Sequence, residues 1–202
     1  GRSMEKLANV DGLVIGQQKE WTEIFTGFET KNRYVVRDTA GNELYAAAEV
    51  GGSWLGRQFL KSLRPFTVSV RTFDGAEVLS VKRRFRFFFH EADVCDGNGD
   101  LIGTIRKRWS LLRRIYSVYA PDGIEAFQLF GPVLHPWTFE IHQGAENLGK
   151  ITKKWSGLGT EMFTKADNFG VMFPSDWDIR TKALFLGAVF LIDFVHFESS
   201  GG

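Results

Sequence analysis

Short runs in which apolar and polar residues alternate recur along most of the chain, separated by small residues that tolerate positive φ. The separators include Ala40-Gly41-Asn42, Asp74-Gly75, Gly97-Asn98-Gly99, Asp122-Gly123 and Gln143-Gly144. Period-two alternation between such turns is the pattern of β-hairpins. Taking each turn as a hairpin centre places strands near 23–28, 33–38, 44–49, 66–72, 77–83, 87–94, 101–107, 114–119, 125–130, 137–142, 148–154 and 160–173. The last run breaks at Lys165-Ala166-Asp167-Asn168, which reads as a turn. A weak internal echo, Leu101-Ile102-Gly103-Thr104-Ile105-Arg106-Lys107-Arg108-Trp109 against Leu148 to Trp155, suggests two halves built alike.

The tail breaks the pattern. Ser175, just past Pro174, reads as a helix cap, and Asp176 and Asp178 as acids of a first turn. From Ala183 to Val195 the helix is apolar on nearly every face, with Leu184, Phe185, Leu186, Val189, Phe190, Leu191 and Phe194 as its bulk. A helix apolar all round belongs in a core or a bilayer. This stretch rises only about 20 Å at ~1.5 Å per residue, against a hydrocarbon thickness of about 30 Å. Extending it brings in Asp193 and His196. A core helix is therefore expected. A meander has two open edges and one face to cover, and closing it around this helix settles both. The expected fold class is mainly β, a closed antiparallel barrel of about twelve strands around a central hydrophobic C-terminal helix.

Composition narrows this further. A length of 202 residues suits one all-β domain. The 19 Phe, 6 Trp and 22 Gly against 5 Pro favour many strands and tight turns. A formal net charge of +1 provides no global field for nucleic acid or an anionic membrane, so any such binding is local. The lone Cys95 excludes an intrachain disulfide and reads as a small strand or core side chain. Residues 1–11 are expected to be a tag remnant (Gly1 to Ser3) and a flexible lead without signal-peptide character, and 199–202 a flexible tail.

Several long segments in fixed order carry a resemblance. Glu23-Ile24-Phe25-Thr26-Gly27-Phe28-Glu29-Thr30-Lys31-Asn32-Arg33-Tyr34, Leu44 to Glu49 and Arg64-Pro65-Phe66-Thr67 resemble the opening of the phospholipid scramblase domain. Gly149-Lys150-Ile151, Trp155-Ser156-Gly157, Glu161 to Val171, Phe173-Pro174 and Lys182 to Phe194 resemble its closing signature. The similarity runs from about Gly12 to Glu198, which sets the expected domain at 12–198. It implies a tubby-like fold, with calcium-stimulated, ATP-independent, bidirectional movement of phospholipids. It also implies a cytoplasmic protein held peripherally at the inner face of the plasma membrane. Nucleic-acid binding, found for some relatives, is the lesser partner expectation. The alternative is a module that binds anionic lipid or nucleic acid without moving lipid.

Two sites follow. The calcium site implied by the resemblance maps to Lys165 through Asp176, where Lys165 puts a cation in the first ligand position. The expected site is therefore weak, with Asp167, Asn168, Asp176 and Asp178 as candidate ligands. Lys82, Arg83, Arg84, Arg86, Phe87 and Phe88 interleave cations with aromatics, a composition suited to lipid headgroups or stacked bases. Arg106, Lys107 and Arg108 extend one basic face, with Arg113 and Arg114 beyond them. As an ordinary strand, the 82–89 run would turn Phe inward and Arg outward. The four histidines have no metal-ligand spacing, and no nucleophile motif or phosphate-cradling loop supports hydrolytic or redox catalysis.

Overall fold

The computed structural model describes residues 2–18, 24–25, 30–50, 65–83, 91–111, 113–153 and 168–197. Twelve strands form one closed antiparallel barrel. They are β1 (Gly12–Gln17), β2 (Thr30–Asp38), β3 (Glu43–Val50), β4 (Phe66–Arg71), β5 (Glu77–Arg83) and β6 (Glu91–Asp96), then β7 (Leu101–Arg108), β8 (Arg114–Tyr119), β9 (Glu125–Gly131), β10 (Thr138–Gln143), β11 (Glu146–Thr152) and β12 (Phe169–Met172). Each strand pairs with its chain neighbours, and β1 closes the ring on β12 with Leu13 opposite Val171 and Ile15 opposite Phe169. Closure leaves no open edge among the described strands.

The expected hairpin turns are present. Gly41, Gly75, Gly99, Gly123 and Gly144 all have positive φ. Asp38, Asp96 and Asp122 accept backbone N–H groups within their own turns, which is why Asp recurs there. Part of the expected strand at 23–28 lies outside the described residues, and the sheet opens with β1 instead. Strand β1 lacked the alternation signal because it is buried at every position but the last, with Leu13-Val14-Ile15 continuous.

Helix α1 (Ile179–Ile192) runs through the barrel and continues as a π-helical turn over Asp193–Phe197. Every residue from Lys182 to Ile192 is buried, as are Phe194 and Val195. Two glycines permit this fit. A Cβ on Gly103 of β7 would lie 2.8 Å from both Leu184 methyls, and one on Gly187 would lie 2.6 Å from Val94 Cγ2. The helix starts later than expected. Asp178, not Ser175, is the N-cap and accepts from Thr181 N at 2.8 Å. The Trp177 amide closes a turn on Pro174 O, keeping Asp176 outside the helix. Trp177 packs on Phe173, Phe127 and Phe185 at this entrance.

The lead before β1 departs from the expected flexible segment. Arg2–Leu7 forms a 3-10 helix, and Met4 and Leu7 belong to the core cluster. Lys182, fully buried, holds it in place by donating to Leu7 O at 3.2 Å and Ser175 O at 2.7 Å. Burial lowers the Lys182 pKa, against the fields of Asp11 and Asp176.

Candidate functional site

The strand order separates two unlike ends. One carries the tight turns β2–β3, β4–β5, β6–β7, β8–β9 and β10–β11, and the other carries the longer connections and the C-terminal end of α1. Phe194 stacks on Phe66 at 4.3 Å, which places the helix end beside the register partner of Arg83. Basic side chains gather at this long-loop end.

Alternation determines how. On β5 the inward series Leu79, Val81 and Arg83 ends in a cation, so Arg83 is 1% exposed while Lys82 faces out. The outward placement that an ordinary strand would give Arg83 is therefore not found. On β7 the inward series Gly103, Ile105 and Lys107 ends likewise, and Lys107 is half-buried while Arg106 and Arg108 are exposed. Burial lowers the Lys107 pKa, helped by the fields of Arg114 and Arg83. Tyr116, opposite Lys107 in the register, is fully buried, and burial raises its pKa against the fields of Arg83 and Arg114. Arg83 of β5 and Arg114 of β8 thus both act on Lys107 of β7 at this end, where the buried Asp193 also lies.

The outer cations are partly engaged. Arg106 pairs with Glu91 at 3.2 Å and lies over the Tyr119 ring. Arg108 pairs with Glu125 at 3.2 Å and donates to Ser117 Oγ. Arg113 sits over the Phe130 ring. Arg114 has a further role that the sequence reading missed. Its guanidinium donates to Pro136 O at 2.7 Å, His135 O at 3.3 Å and Pro132 O at 3.4 Å while lying over Phe139, so it clamps the β9–β10 connection. The available signal was the two prolines bracketing an apolar pair in Pro132-Val133-Leu134-His135-Pro136. Arg84, Arg86, Phe87 and Phe88 lie outside the described residues.

The described calcium candidates Asn168, Asp176 and Asp178 do not share one coordination sphere. Asp167 lies outside the described residues. Asn168 precedes β12, beside Gly16, whereas Asp176 and Asp178 follow it at the other barrel end. Four extended residues span about 13 Å at ~3.3 Å each, and oxygens ~2.3–2.6 Å from one calcium ion are at most about 5 Å apart. The Asp178 carboxylate is moreover engaged in capping α1. Among the described residues no group of three or more His, Cys, Asp or Glu is arranged to hold a metal ion.

Comparison with known proteins gives concordant results. The sequence profile of the Scramblase family matches residues 2–199. Phospholipid scramblase 1 of Mus musculus is 34% identical over 212 residues, covering 98% of this chain and 64% of that protein. Phospholipid scramblase 2 of Bos taurus is 33% identical over 213 residues, covering 98% and 72%. The chain thus spans just under two thirds of the first of these relatives. A protein from Arabidopsis thaliana, solved by X-ray crystallography, shares the fold with a TM-score of 0.53 at 12% identity, covering 93% of this chain and 95% of that one.

Proposed function

The chain belongs to the scramblase family, and from that premise we propose that it is a peripheral phospholipid-handling protein that binds anionic bilayers and moves phospholipids in both directions without ATP. The observation that carries the reading is the family match across nearly the whole chain, residues 2–199. The acid-free basic stretch from Arg106 to Arg114, partly exposed, supports its lipid-binding part.

The architecture constrains how lipid could move. The barrel is apolar inside, where α1 and the inward side chains form one core, and charged outside at Arg37, Glu43, Lys82 and Arg106. A membrane-spanning barrel has the opposite arrangement, apolar out and polar in. No described helix is long and apolar enough to cross a membrane. Lipid therefore moves around this domain, through a bilayer locally distorted by its contact, rather than through its centre. Because the described calcium candidates do not converge, no step is assigned to the ion.

The test is a dithionite-quench assay on proteoliposomes carrying a fluorescent headgroup-labelled lipid, with and without calcium. Exposure of inner-leaflet probe on adding the protein is the expected result. Binding with the inner leaflet still protected would support the second reading, a non-transporting lipid-binding module, which the filled interior favours.

A further inference from the structure

Four large apolar side chains stand in solvent at the long-loop end. Trp109 is 86% exposed and Leu111 81% in the β7–β8 connection, and Val133 is 70% and Leu134 83% in the β9–β10 connection. The two connections are neighbours, because Arg114, which follows the first, donates to three carbonyls of the second. The second is also built. The His135 amide closes a turn on Pro132 O and the Thr138 amide one on His135 O, with Val133 and Leu134 at the tip. Exposed apolar residues held by a charged clamp enter an apolar phase with little further ordering cost.

Charge is arranged to match. Residues 101–121 contain Arg106, Lys107, Arg108, Arg113 and Arg114 and no acid, and residues 126–139 contain no acid either. The opposite end carries Asp in its turns, at Asp38, Asp74, Asp96 and Asp122.

We propose that this end docks on an anionic phospholipid bilayer by sinking Trp109, Leu111, Val133 and Leu134 to the boundary of headgroups and acyl chains, with Arg113 at the level of the phosphates. The inference rests on the lipid-binding reading above and assigns it a face and a depth. Tryptophan favours this interfacial layer, and basic residues beside it gain from the negative surface potential. A second copy of the chain is the poorer occupant, since a two-fold interface would set this basic face against itself.

The test is sedimentation of the full chain with vesicles of phosphatidylcholine plus phosphatidylserine. The L111Q/L134Q double variant, altered only at exposed positions, is expected to bind about 100-fold more weakly, at roughly tenfold for each leucine withdrawn from the apolar layer. Lipids brominated high on their acyl chains are expected to quench a share of wild-type tryptophan emission that W109F lacks. Failure of the wild type to bind these vesicles would overturn the lipid-binding reading and this inference together. Equal binding by wild type and double variant, or equal fractional quenching of wild type and W109F, would overturn the inference and leave that reading standing. A dimer in the wild type that the double variant lacks, with vesicle binding unchanged, would assign the face to a second copy instead.

Discussion

Replacing Gly187 with alanine tests whether α1 is sealed in its own domain. In an exposed or lipid-facing helix the change stabilises, because alanine exceeds glycine in helix propensity by about 1 kcal/mol. Here the added Cβ would lie 2.6 Å from Val94 Cγ2, 3.0 Å from Val94 Cγ1 and 3.3 Å from Val81 Cγ2. Both valines are 0% exposed. A β-branched side chain in a filled core has no second rotamer to retreat into. Overpacking of this kind costs about 1–3 kcal/mol, and a contact this short with stiff neighbours belongs in the upper part of that range. The expected net effect is a loss of about 1–2 kcal/mol after the propensity gain. At ~2–4 °C per kcal/mol for a domain of this size, the melting temperature falls by several degrees. Urea unfolding followed by tryptophan fluorescence reads the same loss as a lower midpoint at unchanged slope. Val94→Ala in the same chain opens the space, so the double variant is expected to be less destabilised than the two single changes summed, by about 1 kcal/mol. A higher midpoint for Gly187→Ala, or no coupling to Val94, would refute the packed-helix argument.

Three further outcomes are expected. Lys182→Met removes the charged donor to Leu7 O and Ser175 O, so stability falls by about 1–3 kcal/mol and amide exchange rises across Arg2–Leu7; unchanged exchange there would count against the tether. Arg114→Met frees three carbonyls of the β9–β10 connection, and faster exchange at His135 and Thr138 checks that the clamp holds their turn. Burial raises the pKa of Tyr45 and Tyr116, so the neutral phenol is favoured in the fold, its contribution is full below pH ~10 and it declines as pH rises beyond that value. Absorbance at the phenolate band is then expected to show Tyr45 and Tyr116 ionising only as the protein unfolds, and early, reversible titration of either would contradict the burial.

How much was legible in the residues depended on the range of the cause. The turns at Gly41, Gly75, Gly99, Gly123 and Gly144 were readable because positive φ is a local demand that few residues meet. The start of α1 was misplaced by three residues, since Ser175 and Asp178 are both good caps and the choice depended on the Pro174–Trp177 turn and on Trp177 packing against Phe127 and Phe185. Strand β1 escaped detection because burial at both faces erases alternation. An ordinary strand over 82–89 would turn Arg83 outward, yet its parity with Leu79 and Val81 turns it in. The calcium candidates looked contiguous along the chain, but an intervening strand carries Asn168 and Asp176 to opposite ends of the barrel.

By itself, then, the chain of residues determined the hairpin rhythm, the family and a helix too apolar for water and too short for a bilayer. The rhythm and the helix are consequences of local conformation and of composition over windows of a dozen residues, and the family is carried by several long segments in fixed order. Only the closed structure decided which side chains share an end, bringing Arg83, Lys107 and Arg114 to one mouth and Trp109 and Leu111 beside Val133 and Leu134. That outcome belongs to strand register, where a shift of one residue exchanges inside for outside, and register is set by pairings and packing between residues far apart in the chain.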